Sequence, residues 1–205
     1  MVDIFHSPAF AWDIALLKYI NALNSPFMDV FMWVVSSNYF GVCVFVLLSL
    51  LVVALYKKSS WKVLAFIGLT VALTDMFSAR VIKPLVRRPR PTHDIECVDP
   101  SALHLHRKDD GSYYYGGKYG FPSNHAANFM AMAIMFSFFM KGRMRTYRPA
   151  AAFLFLLVFL VGYSRCYLAV HYPSDVVAGW LLAAMFSSAA LFAAKRLKLL
   201  PGSEQ

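Results

Sequence analysis

Residues 38–56 read NYFGVCVFVLLSLLVVALY, nineteen positions without one Asp, Glu, Lys or Arg. Wound as a helix at about 1.5 Å per residue, such a run matches the roughly 30 Å hydrocarbon core of a bilayer. Lys57 and Lys58 follow it directly, and a second long apolar run extends from Trp61 to Ile82. Two such stretches joined by a short basic turn predict a helical hairpin through a membrane. Further spans are expected at 124–140, at 150–165 with its flanks, and at 174–194. The first of these opens with polar residues, but Ala126, Ala127, Ala131 and Ala133 are the small side chains that let membrane helices approach closely. No period-two strand pattern appears, and backbone in lipid must satisfy its own hydrogen bonds. The expected fold is all-α: an integral membrane helical bundle of five to six transmembrane helices, one domain over residues 1–205.

Composition agrees. Apolar residues make up 59% of the 205 and charged residues 15%, against about 45–50% and about 25% in soluble domains. A water-soluble fold of this size could not bury so much apolar surface. The net charge of +9 raises the question of nucleic acid, but the basic residues gather at the ends of apolar runs and show no recognition-helix or zinc-finger pattern. No nucleic-acid partner is expected, and no obligatory protein partner is evident. Cys43, Cys97 and Cys166 have no paired spacing, so a disulfide between Cys43 and Cys97 is not expected. The first ten residues carry no basic n-region or small-residue cleavage pattern, so no removable signal peptide is expected.

Residues 1–37 are expected to form an amphipathic N-terminal region. Between Phe10 and Phe31, apolar residues alternate with Asp13, Lys18, Asn21, Asn24 and Asp29, and Pro26 interrupts the stretch. That pattern predicts one or two helices lying at the membrane interface, with a sixth, irregular span as the alternative. Topology follows from the loops. Lys57, Lys58 and Lys62, then Lys141, Arg143, Arg145 and Arg148, then Lys195, Arg196 and Lys198 share one side if there are five consecutive spans. These ten basic residues are accompanied by one acid, Glu204. The other side carries the remaining ten basic residues, but with almost all of the acids, and its loop 83–122 is long. Short basic loops mark the cytoplasmic side, so the loop 83–122 is expected to face outward and the C-terminus inward.

Three polar motifs fall at the outer ends of these spans. Lys83 is followed seven residues on by Arg90-Pro91, and Pro84, Pro89 and Pro91 stiffen the segment. Cations held in this way suit an anion, with arginine adding a bidentate fork. Pro122-Ser123-Asn124-His125 opens a helix, whose free N–H groups and dipole favour phosphate. Ser164-Arg165 precedes His171, and Asp175 follows it by four residues, with Pro173 placed to start a helix. A carboxylate at that distance can fix the imidazole tautomer and leave the other nitrogen nucleophilic. Each motif alone has a plainer reading: a basic helix anchor, a capped helix, a structural His–Asp pair. One pocket explains all three together.

In order and spacing these motifs resemble those of the type 2 phosphatidic acid phosphatases, over about residues 60–195. Asn124 stands where that family usually has glycine. The resemblance implies a metal-free and cofactor-free double displacement. His171 would be the nucleophile forming a phosphohistidine, Asp175 would orient it, and His125 would be acid and then base. Lys83, Arg90, Ser123 and Arg165 would hold phosphate oxygens, with Asn124 as a further contact. It also implies a phospholipid or prenyl pyrophosphate substrate drawn from the bilayer, and a place in a bacterial inner membrane with the site facing the periplasm. Undecaprenyl pyrophosphate is the expected substrate; lipid A, phosphatidylglycerol phosphate and phosphatidate are the alternatives. A non-catalytic lipid- or anion-binding membrane protein is the reading of another class. Asp75, inside the second span, is expected to face the bundle and pair with Arg80. Arg87 and Arg88 are expected as solvated anchors or as contacts to substrate or lipid headgroups. His93, Asp94, Glu96, His104 and His106 are too irregularly spaced to suggest a metal site.

Overall fold

The computed structural model describes residues 10–197; residues 1–9 of the N-terminal region, Lys198 and Glu204 lie outside them. Among the described residues the elements are helical: α1 (Ala11–Ala22), α2 (Pro26–Val35), α3 (Asn38–Tyr56), α4 (Ser60–Phe77), α5 (Lys83–Val86), α6 (Asn124–Met140), α7 (Tyr147–Tyr167) and α8 (Pro173–Arg196), with short 3-10 turns. Three stretches are long and apolar enough to cross a membrane: Asn38–Val86, Tyr147–Tyr167 and Pro173–Arg196. The first is folded back on itself. Lys57 takes a left-handed φ of 48°, and the chain reverses there into α4.

Local chemistry sets the helix ends. The Ser25 hydroxyl accepts from Met28 N at 3.3 Å and Pro26 occupies the first turn of α2; the Ser37 hydroxyl accepts from Phe40 N at 3.1 Å at the start of α3. Beyond α4 the chain passes through a π-helical turn, Ser78–Ile82, before α5. Such turns recur at functional sites because they re-aim the side chains that follow them. Arg87, at φ 53°, ends the helix, and Pro89 and Pro91 keep it from resuming.

Pairwise contacts define the directions. Phe40 stacks on Phe129, and Tyr56 packs edge-on against Phe139 and donates to its carbonyl at 2.9 Å, so α3 runs parallel to α6. Phe66 meets Phe139 while Ser78 bonds Asn124, so α4 runs antiparallel to them. Helix α6 is the axis of the bundle. Its 17 residues are fewer than those of its neighbours, and ten of them are buried, which suits a helix surrounded by protein more than by lipid. Helix α8 lies against it at Gly179, where a Cβ would stand 2.5 Å from the Ser123 carbonyl.

The N-terminal helices depart from the expected arrangement. At 12 and 10 residues they are too short to cross a bilayer, but their polar residues do not face water. Asp13 and Asn21 are buried, while Trp12, Leu16, Tyr19, Phe27 and Val30 are exposed. Asn21 donates to the carbonyls of Tyr167 and His104 at 2.7 and 2.9 Å, and Asp29 accepts from the Tyr167 hydroxyl at 2.6 Å. The polar stripe turns toward the protein and the apolar stripe outward, the inverse of a soluble amphipathic helix and the arrangement that suits lipid. Of the five polar residues between Phe10 and Phe31 named above, Lys18 and Asn24 stay exposed.

The close approach at Gly179 is directly testable. Gly179→Ala should lower stability in detergent by about 1–3 kcal/mol through overpacking, read as a lower unfolding temperature. Gly68→Ala, where a Cβ meets nothing within 4 Å, should leave that temperature unchanged or slightly raised.

Candidate active site

The end of the bundle that holds the N-termini of α6 and α8 also holds the C-terminus of α7 and the segment after α5. Helix α7 closes in a tight turn. Ala169 takes a φ of 53°, and the backbone N–H groups of Val170 and His171 both reach the Arg165 carbonyl, at 3.1 and 3.3 Å. That turn folds His171 back beneath the loop, where it is 1% exposed. Pro173 then starts α8, and Asp175 Oδ2 accepts from Tyr172 N at 3.0 Å. The same oxygen lies 3.4 Å from His171 Nδ1, close enough for charge to act although the pair is not aligned as a hydrogen bond.

Lys83, Arg90, His125 and Arg165 all lie near enough to bear on His171. Burial first, then the charges of Arg90, Arg165 and Lys83 and the neighbouring His125, hold its imidazole well below the ordinary value. A neutral imidazole at neutral pH is the nucleophilic form. Burial also pulls Arg90 down to about 10, which leaves it a cation at neutral pH. The backbone holds these cations in place. Lys83 Nζ donates to the Gly120 carbonyl at 3.2 Å and Arg90 Nε to that of Tyr119 at 3.3 Å. Arg165 donates to the Ser36 carbonyl at 3.2 Å and to the Ser36 hydroxyl. The Ser123 N–H donates to the Asp175 carbonyl at 2.9 Å, tying α6 to α8. The Ser123 hydroxyl and Arg165 Nε are buried and find no hydrogen-bond partner among the described residues. Buried donors in this state suit an anionic ligand.

Two expectations are corrected here. Arg88, read as a solvated anchor, is 2% exposed. Its guanidinium donates to Asp175 Oδ1 at 2.7 Å, to Ser174 Oγ at 2.6 Å and to Asp13 Oδ2 at 2.5 Å, while its face covers the Tyr172 ring, with 4.4 Å from Cζ to the centroid. Asp13 also accepts from the Ser174 N–H at 2.9 Å and from its hydroxyl. Arg87, by contrast, is exposed and bonds the Pro84 carbonyl. Asp75 does not pair with Arg80; its Oδ1 accepts from the amides of Asn124 and Asn128 at 2.8 and 2.9 Å. Ser78 occupies the carbonyl oxygen of Asn124, so that side chain is committed to α4 instead of standing free over the site.

The sequence reading also missed the cover of the site. Gly116, at φ +70°, leaves room for the Arg90 guanidinium where a side chain would collide. At Gly120, a Cβ would lie 2.9 Å from Asp175 Oδ2. Tyr114 lies close enough to act on the charges of both Arg90 and Arg165. The loop histidines are dispersed: His104 pairs with Asp29 at 3.0 Å, His106 stacks on Trp33 at 4.0 Å, and Asp94 accepts from the Tyr172 hydroxyl at 2.8 Å.

A family model described as the PAP2 superfamily matches residues 59–196. The lipid A 4'-phosphatase of Bacteroides thetaiotaomicron is 32% identical over 176 residues, 83% of this chain and 71% of that protein. That of Porphyromonas gingivalis is 29% identical over 167 residues, 80% of this chain and 65% of that one. This chain thus spans about two thirds of the length of these relatives. Among solved structures, Aquifex aeolicus LpxE superposes with a TM-score of 0.64 at 23% identity, over 89% of this chain and 96% of that one. The PAP2-type phosphatidylglycerolphosphate phosphatase of Bacillus subtilis gives 0.65 at 18%, over 91% and 86%. At these identities the likeness is one of fold.

Two measurements check the electrostatics. Arg88→Met strands two buried carboxylates and should cost about 3–5 kcal/mol of stability, read by denaturant unfolding in micelles. The imidazole resonances of His171, assigned by their loss in His171→Asn, should show no protonation between pH 8 and 6; a midpoint near 6.5 would contradict the geometry.

Proposed function

We propose that this chain, which belongs to the PAP2 superfamily and is an integral membrane lipid phosphatase, removes a phosphate monoester from a glycolipid of the lipid A class. Two lipid A 4'-phosphatases align with four fifths of the chain or more, and that observation carries the choice of substrate. The undecaprenyl pyrophosphate expected from the sequence gives way to this alternative. Phosphatidylglycerol phosphate remains the second reading, because the solved phosphatidylglycerolphosphate phosphatase has the same fold.

The chemistry proceeds from the neutral His171. Its Nε2 attacks phosphorus, an N–P bond forms, and the bond from phosphorus to the lipid oxygen breaks. His125 gives its proton to that oxygen as the lipid leaves, then takes one from water as the water attacks the phosphohistidine and releases phosphate. Asp175 faces the positive charge that grows on the His171 ring. Lys83, Arg90, Arg165 and the unpartnered hydroxyl of Ser123 hold the three nonbridging oxygens and stabilise the charge of the transition state. Asn124 is left out of this set because its amide is engaged with Asp75.

Orientation follows from the opposite end of the bundle. There Arg143 lies over the Tyr56 ring at 4.1 Å and Lys195 over Phe138 at 5.3 Å, so the basic turns after α3 and α6 and the end of α8 share one face. That face is cytoplasmic by the charge rule, with five spans, and the site opens to the periplasm.

The test is phosphate release in detergent, with chelator present, from lipid A, phosphatidylglycerol phosphate and undecaprenyl pyrophosphate. Lipid A should be the preferred substrate, at an undiminished rate under chelation. His171→Ala should lower kcat by about three orders of magnitude or more; a fully active variant would remove His171 as nucleophile.

A further inference from the structure

Beside His125 a cavity of about 470 Å³ opens between α3, α4 and α6, a size typical of sites for small ligands or parts of larger ones. Its walls are apolar, with Gly41 and Phe45 from α3, Val71 from α4 and Phe129 and Met132 from α6. Asp75, Asn124 and Asn128 line it as well. A carboxylate within a membrane helix costs several kcal/mol unless it is paired or used, so its presence in an otherwise greasy cavity asks for a ligand.

The hydrogen-bond inventory says what kind. One N–H of each amide goes to the same oxygen, Asp75 Oδ1, the Asn124 amide also reaches the Asp75 backbone carbonyl at 3.4 Å, and Ser78 gives its hydroxyl to Asn124 Oδ1. The donors of the cluster are thus turned inward on one another. The unpartnered oxygens of the cluster are acceptors. Asn128 Oδ1 is buried and has no hydrogen-bond partner among the described residues, and flipping the amide would set that oxygen against the carboxylate. Asp75 Oδ2 is the second acceptor. Asn128 lies three residues beyond His125, about 4.5 Å deeper along α6, below the site of phosphate chemistry and toward the hydrocarbon.

We infer that this cavity holds an acyl chain of the lipid substrate, and that Asp75 and Asn128 accept a hydrogen bond from a hydroxyl or amide N–H carried on that chain near the head group. Continuity with His125 identifies the occupant as the substrate. Asn124 braces the carboxylate that reads the donor. The inference rests on the lipid phosphatase reading of the site, but not on the choice of lipid A.

The experiment compares synthetic lipid phosphates that differ only in one chain: a plain ester-linked chain, the same chain with a hydroxyl near its carbonyl, and an amide-linked chain. Each is made on a glucosamine phosphate and on a phosphatidate backbone. A donor-bearing chain should raise kcat/KM about tenfold in the wild type, as one hydrogen bond to a charged group supplies. The hydroxyl and amide arms identify which donor is read. Asp75→Asn and Asn128→Leu should each bring that ratio close to one. A ratio is taken on one enzyme, so partial misfolding lowers both rates and leaves it readable. Equal rates in the wild type, or a full tenfold preference in both variants, would overturn the inference. Hydrolysis confined to the phosphatidate series with the preference intact would remove the lipid A reading and leave this one standing.

Discussion

The Arg88 guanidinium is the contact on which the site depends. Asp13 arrives from α1, Asp175 from α8, and Arg88 from the segment that also carries Arg90, and one buried cation joins the three. Two buried carboxylates so close together would repel each other without it, and the buried guanidinium would be as costly without them. The network fixes Asp175 Oδ1, so that Oδ2 is left to cap α8 and face His171. It also draws in α1, which lies outside the region matched by the family model. The N-terminal helices are therefore part of the scaffold of the site.

Several polar groups of the helices turn inward, as a lipid solvent requires. Asp13, Asn21 and Asp29 on the first two helices, and Asp75 with its amides in the bundle, all spend their hydrogen bonds on protein. Large apolar side chains such as Trp12, Phe27, Leu47 and Phe159 cover the outside. In water this arrangement would aggregate; in a bilayer, unsatisfied polarity is the greater cost.

Much of the site was legible because membrane helices impose a strict alternation. Once spans were placed by hydropathy, Lys83, Arg90, Ser123, His125, Arg165, His171 and Asp175 had to share an end, and the structure gathers them. Arg88 and Arg87 illustrate the limit. They are adjacent and chemically identical, but Arg87 sits at a left-handed helix end and stays exposed, whereas Arg88 turns under the loop. The hydropathy signal is the same for both. Likewise, the polar positions of α1 were visible as a stripe, but the stripe did not say which side it faced.

By itself the sequence determined the all-helical membrane bundle and the shared face of the motifs, because those follow from hydropathy and the thickness of lipid, and it set a carboxylate four residues after His171. Only the tertiary structure decided that Asp13 and Arg88 stand behind Asp175, that Asn124 belongs to Asp75, and that Gly116 and Gly120 make room for the site's charged side chains. Those partners are separated by many residues along the chain. A buried charge takes as its counterion whichever group packing delivers, and no local spacing records that choice.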